Sequence, residues 1–244
     1  MKKRILPLLC LILTAMPLPG FAKTAEEWIH HIDLNMNYMT AEYTSTMTVH
    51  HPNGQERVYR MQGKVQGDDY ALMEFLEPPR DRGTRYLKRE KNLWIYFPRQ
   101  DRTLQIQGHM LRECVQGSDL SYEDLTESSQ LIEKYTSLIV SETDSTVTIC
   151  LEAKEMTVSY PFQLLQIDKT SGIPLKIVYS GVGNTPIKEM EILQTQRIGK
   201  RLFPVVMEIR SLLVENKWTR LEFEDIEFGM EFPLDTFTKE GLER

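Results

Sequence analysis

The sequence holds little of what catalytic and metal-binding proteins need. Its 244 residues include three cysteines and five histidines. Cys-x-x-Cys, His-Glu-x-x-His and Gly-x-Ser-x-Gly strings are all missing. A zinc site needs clustered Cys and His ligands, and a nucleophile needs an adjacent base and an orienting group. His30 and His31 are neighbours, as are His50 and His51, so each pair diverges on a helix or strand. They are expected to be solvated, and neither a metal site nor a cofactor nor a hydrolytic centre is legible. A basic balance of charge is also lacking. The formal net charge is -6, whereas the phosphate backbone of a nucleic acid demands clustered Lys and Arg.

Long apolar runs are scarce. The apolar stretch Ile5 to Pro17, which carries no charge, falls short of the roughly 20 residues that span a bilayer. Lys2, Lys3 and Arg4 precede it, and Gly20-Phe21-Ala22 offers small residues at the -3 and -1 positions. That order predicts a cleaved secretory signal peptide over residues 1–22 and a periplasmic product. Cys10 sits inside the apolar run behind Leu8-Leu9, without the small residue that would suggest lipid modification. Residues 23–244 are expected to form a single domain, as all-β chains of this size often do. Export to an oxidising compartment permits a disulfide between the remaining cysteines, Cys114 and Cys150. The alternative is two unrelated thiols, one buried as a small hydrophobe.

Helical periodicity occurs once at length. Thr24 and Glu27 form a capping box, and Ala25, Ile29, Ile32, Met36 and Met39 recur behind it at helical spacing. About four amphipathic turns are expected. From Thr44 the period changes to two, with His51-Pro52-Asn53-Gly54 as a hairpin signal. About ten or eleven short strands are expected from there to Phe228, broken by a loop and short helix between Gly108 and Leu131. Strands do not alternate with long helices, so the fold is mainly β with an antiparallel sheet. A sheet of that many strands should curl, and the N-terminal helix can bury its stripe on the concave face.

Four strings, in order, resemble the outer-membrane lipoprotein-sorting protein family, a LolA/LolB-like group of periplasmic proteins. The first runs from Glu77-Pro78-Pro79 to Gly83-Thr84, with Leu87 beyond. The second is Leu93-Trp94-Ile95-Tyr96-Phe97-Pro98, followed by Arg102. The third and most specific is Gly117-Ser118-Asp119-Leu120-Ser121-Tyr122-Glu123-Asp124-Leu125. The fourth is Ile167-Asp168-Lys169 to Gly172-Ile173-Pro174-Leu175-Lys176, with Phe237-Thr238 near the end. Cys114-Val115-Gln116 departs from the aromatic and Met that the family often shows there. The resemblance implies a curved sheet forming an incomplete barrel, with helices over its open side. It also implies a carrier of lipid or lipid-modified cargo. Partners would be acyl chains, and an inner-membrane transporter or an outer-membrane acceptor.

A carrier needs an apolar cavity and adaptable side chains. Met36, Met39, Met61, Met73, Met190 and Met207 suit such a lining, although Met is also an ordinary gap-filler. Phe75 joins them by strand alternation. The strand from Leu93 is apolar on both faces, with Leu93, Ile95 and Phe97 on one and Trp94 and Tyr96 on the other. It is either covered on both sides or exposed to a ligand on one. Arg80, Arg82, Arg85, Lys88, Arg89, Lys91, Arg99 and Arg102 flank it. They form either a rim for an anionic group or a charged edge that blocks strand pairing. Glu123 and Asp124 suggest the start of a helix, favoured by its dipole, more than an acid/base pair. Asp119 is expected to cap that helix.

Overall fold

A computed structural model of the protein describes residues 23–36, 39–126, 130–155, 158–199 and 201–244. The expected signal peptide lies outside them. The chain opens on the predicted capping box: the Thr24 amide donates to Glu27 Oε2 at 2.8 Å and the Glu27 amide to Thr24 Oγ1 at 3.2 Å. The helix it starts, α1, spans Ala25–Met36. Met39 lies beyond its end and is largely exposed, so the helix is shorter than the sequence periodicity suggested.

The strands are β1 (Thr40–His50), β2 (Glu56–Gln66), β3 (Tyr70–Glu77), β4 (Arg85–Arg89), β5 (Asn92–Phe97) and β6 (Arg102–Ile106) in the first half. The second half supplies β7 (Tyr135–Glu142), β8 (Thr146–Ala153), β9 (Phe162–Asp168), β10 (Pro174–Ser180), β11 (Pro186–Ile198), β12 (Arg201–Ser211) and β13 (Trp218–Phe228). Thirteen strands thus replace the expected ten or eleven. All form one antiparallel sheet, ordered β6-β5-β4-β3-β2-β1-β13-β12-β11-β10-β9-β8-β7, that does not close into a barrel.

That order has one consequence for everything else. The first six strands meander outward from β1 to one edge. The last seven start at the opposite edge and meander back until β13 pairs with β1, with Met47 opposite Leu221. The chain must therefore cross from edge to edge between β6 and β7. It crosses over the inner face of the sheet. The crossover carries two 3-10 turns, Gly108–Arg112 and Val115–Gly117, then α2 (Tyr122–Thr126) and α3 (Leu131–Lys134).

Two apolar clusters result on that face. In one, Val115, Leu120, Tyr122 and Leu125 of the crossover pack against Met47, Tyr59, Phe75 and Ile95 of the first six strands. In the other, Trp28, Ile29 and Ile32 of α1, with Leu131 and Ile132, cover Val147, Ile149, Leu165 and Ile167. Asp33 joins the two helices, its carboxylate accepting from the Leu131 and Ile132 amides at 2.9 and 3.0 Å. His31 is half-buried rather than solvated, because it packs on Gly172, where a Cβ would come within 2.4 Å of the imidazole.

A third cluster lies on the opposite, outer face. Leu87, Trp94 and Tyr96 are covered by Phe237 and Leu242 of the C-terminal segment, which ends in α4 (Lys239–Glu243). Thr103 Oγ1 donates to Glu243 Oε1 at 2.6 Å and Arg85 donates to the Leu242 carbonyl at 3.0 Å. The strand β5 is apolar on both faces because it is covered on both.

Close approach also constrains the sheet. Tyr43 lies over Gly63 on the neighbouring strand, and a Cβ there would meet the ring at 2.2 Å. Gly63→Ala should lower stability by about 1–3 kcal/mol through overpacking. Urea denaturation should show a lower midpoint with an unchanged slope. On β12, Glu208 is buried and gripped by Arg210 at 2.7 Å and by Arg220 at 2.7 Å. Burial pushes its pKa up, but the hydrogen bonds from both arginines outweigh burial and leave it below the ordinary value. Such a group stabilises the fold above its unfolded pKa, about 4.3, and the contribution fades as pH falls through the lower folded value. Glu208→Gln should therefore cost about 1–2 kcal/mol at pH 7. The gap between variant and parent denaturation curves should close as the pH falls below 4.

Candidate functional site

The two inner clusters do not meet. Between them, over β10, β11 and β12, the structure leaves a cavity of about 320 Å³. Its floor follows the sheet register, with Ile177 opposite Met190 and Met190 opposite Ile209, then Ile192 opposite Met207. Its walls are the near ends of the two covers: Ile32 of α1, Leu131 of α3, and Leu120 and Asp124 of the crossover. The lining is chiefly apolar, as a small-molecule site requires.

One ion pair stands in that lining. Lys188 Nζ lies 2.6 Å from Asp124 Oδ2, and both side chains are largely buried, at 8% and 13% exposure. The ammonium also sits 4.5 Å from the Tyr160 ring centroid and 5.2 Å from that of Tyr179. Such cation–π contacts are strongest where both groups are dry. Asp124 is fixed from several sides. It accepts the Ser121 amide at 2.7 Å in a second capping box, whose other half is Asp124 N to Ser121 Oγ at 3.2 Å. The Tyr160 hydroxyl also bonds to it; burial first, then Asp124 and its negative charge, push that phenol's pKa well up.

The nine-residue block thus acts as a set of staples that hold the crossover to the sheet. Asp119 does not cap α2 as expected; Ser121 does. Asp119 instead accepts from Thr219 Oγ1 at 2.8 Å and pairs with Lys217 at 3.3 Å, tying the loop to β13. Gly117 takes a positive φ of 79°, and Ser118 is fully buried beside it. Tyr122 lies 6.0 Å from Tyr86 of β4, ring to ring, and is hydrogen-bonded to it. Glu123 falls in the first turn of α2. Glu123 and Asp124 serve the helix start, and Asp124 serves Lys188 besides.

The structure sorts the expected lining residues. Met190 and Met207 line the cavity. Met61, Met73, Phe75, Leu93, Ile95 and Phe97 do face inward, but into the filled cluster under the crossover. Trp94 and Tyr96 face outward beneath the C-terminal segment. Met39 instead lines a second, more open pocket of about 660 Å³ with Ile198 and Phe228. The side chain of Met36 lies outside the description. Cys114 and Cys150 are free thiols. Cys114 sits exposed on the crossover, while Cys150 points away from the inner cluster, opposite Leu138 and Leu164. Of the basic rim, Arg80 pairs with Asp81, Arg85 with Glu74, and Lys88 is buried.

Ile177, Tyr160, Lys188 and Ile209 were missed. A signal for Lys188 was present: it shares a strand face with Met190 and Ile192, and a lone cation in an apolar alternation implies a buried partner. Among the described residues no cluster of His, Cys, Asp or Glu could hold a metal ion. No described helix is long and apolar enough to cross a membrane.

If Lys188 chiefly neutralises Asp124, Lys188→Met strands a buried carboxylate and should cost about 3–5 kcal/mol. Pairing it with Asp124→Asn should recover most of that loss, and a double-mutant denaturation cycle reads the coupling directly.

Residues 67–244 match the model of a family described only as "Uncharacterized protein". No curated protein matches the chain. Solved structures share the fold. A DUF1329 family protein from Desulfovibrio piger has a TM-score of 0.81 at 17% identity, over 89% of this chain and 97% of that one. A domain described as an outer membrane lipoprotein-sorting protein, from Vibrio parahaemolyticus, has a TM-score of 0.80 at 20% identity, over 90% and 98%. A LolA superfamily protein from Nitrosomonas europaea has a TM-score of 0.75 at 17% identity, over 90% and 99%. The likeness read in the sequence therefore holds for the fold.

Proposed function

For this chain, which belongs to the family whose model spans residues 67–244, we propose the role of a non-enzymatic periplasmic carrier. It binds lipid or a lipid-modified protein by an acyl chain and moves that cargo toward the outer membrane. The observation that carries this reading is the apolar gap over β10–β12, with Met190 and Met207 in its floor. The fold is shared with a protein described as lipoprotein-sorting, which supports the class of cargo. The signal sequence read at residues 1–22 supports the compartment.

Magnitudes suit a carrier. The cavity of about 320 Å³ holds about ten methylene-sized groups, taking about 30 Å³ for a group the size of water. At about 0.8 kcal/mol per buried methylene, the gross gain is about 8 kcal/mol. That corresponds to a dissociation constant of about 1 μM, before ordering costs are subtracted. Binding of that strength is reversible, so cargo can pass to an inner-membrane transporter's partner site or to an outer-membrane acceptor. A rival role as an envelope adaptor that binds polypeptide draws on the filled cluster under the crossover, where Val115, Leu120 and Tyr122 already pack on the first six strands.

Gently purified mature protein should release a stoichiometric acyl species on organic extraction and mass spectrometry. Met207→Trp, which fills the floor of the gap, should remove most of that lipid while leaving the fold intact by circular dichroism. A protein that carries none and refuses added acyl chains would favour the adaptor.

A further inference from the structure

The Asp124–Lys188 pair says which kind of head group the cavity accepts. This inference rests on the carrier reading and adds the chemistry of the cargo. An ammonium has three N–H donors. Among the described residues, the one hydrogen bond of Lys188 goes to Asp124, and the side chain lines the cavity. Donor capacity is therefore left at a buried, dry site. The rings of Tyr160 and Tyr179 flank the ammonium and cannot accept a conventional hydrogen bond through their faces. An oxygen of the cargo can.

Charge decides which oxygen. The pair is already neutral as a unit. A carboxylate brought to Lys188 would also come close to Asp124, whose oxygen is 2.6 Å from the same nitrogen. Two carboxylates would then share one ammonium in a poorly solvated place, and like charges at such range repel strongly. A neutral carbonyl takes the same hydrogen bond without adding charge. The hydroxyl of Tyr160 does not relieve the conflict, because it is committed to Asp124. Gln163, buried on the same wall, is uncharged.

Size adds a second limit. A volume of about 320 Å³ is enough for one chain of about ten carbons, by the estimate of about 30 Å³ per group. We propose that the cavity binds a single acyl chain through an uncharged ester or amide carbonyl seated on Lys188, and that Asp124 excludes the free fatty acid. The cargo is thus an esterified or amide-linked chain, from a lipid or from an acylated polypeptide.

Calorimetric titration of the delipidated full mature protein at pH 8 tests this, with monodecanoylglycerol and sodium decanoate as probes. The ester should bind tighter by at least about tenfold, the repulsion between two close carboxylates being the cause. Asp124→Asn keeps an acceptor for the Ser121 amide but frees the charge of Lys188, so it should narrow or reverse that preference. Decanoate binding to the parent protein as tightly as the ester would overturn the proposal. So would an ester preference that Asp124→Asn leaves unchanged. Should that variant not fold, the comparison on the parent protein decides alone. Failure of both probes to bind would sink the carrier reading itself, and is distinct from binding without preference. An ester and an N-decanoyl peptide that bind alike would leave the carbonyl as the shared determinant; clear discrimination would assign the source.

Discussion

The pairing of β1 with β13 constrains the whole molecule. It places the first and last strands side by side at the middle of the sheet and pushes the chain's midpoint to two opposite edges. The connection between β6 and β7 then has to cross the sheet. Its backbone polar groups must be satisfied on the way, which short helices, 3-10 turns and side-chain caps accomplish. Its apolar residues fill one half of the inner face, and α1 fills the other. The gap between the two covers is therefore a product of topology rather than of any one residue.

Holding a crossover of this kind is a problem of long-range contact. Ordering it costs conformational entropy at every residue, and contacts distant in sequence must offset that. Asp119 reaches β13, Tyr122 reaches β4 and Asp124 reaches β11. Buried ion pairs contribute little net stability against apolar substitutes, because desolvation offsets the attraction. Their value here is positional. A packed hydrophobe at Asp124 would remove the tie to β11, the one of these three contacts that stands in the cavity wall. The same pair then supplies a charged contact inside a chiefly apolar gap.

Much of this was legible in the sequence. Each alternating segment became a strand, and the capping box of Thr24 and Glu27 formed. The lining was less legible. Alternation put Met61, Phe75 and Ile95 on the inner face correctly, but it cannot say which part of that face the chain itself will cover. Covering depends on where the crossover runs, and that follows from strand order, which is a property of pairings between residues far apart. Trp94 and Tyr96 were ambiguous for a related reason, since the segment that covers them lies more than a hundred residues later, at Phe237 and Leu242. Asp119 was misassigned because Thr219 and Lys217, its partners, are as distant. Local rules rightly offered it a cap; a tertiary contact took its place.

In a carrier, the gap over β10–β12, and not the filled cluster beside it, receives the acyl chain. Methionine methyl groups report this directly. With the methyls isotopically labelled, the protein can be titrated with monodecanoylglycerol and followed by NMR. The Met190 and Met207 methyl resonances should shift in a saturable way while those of Met47 and Met61 hold still. Shifts at Met47 and Met61 with none at Met190 and Met207 would contradict it, because the chain would then enter the half of the sheet that the crossover fills.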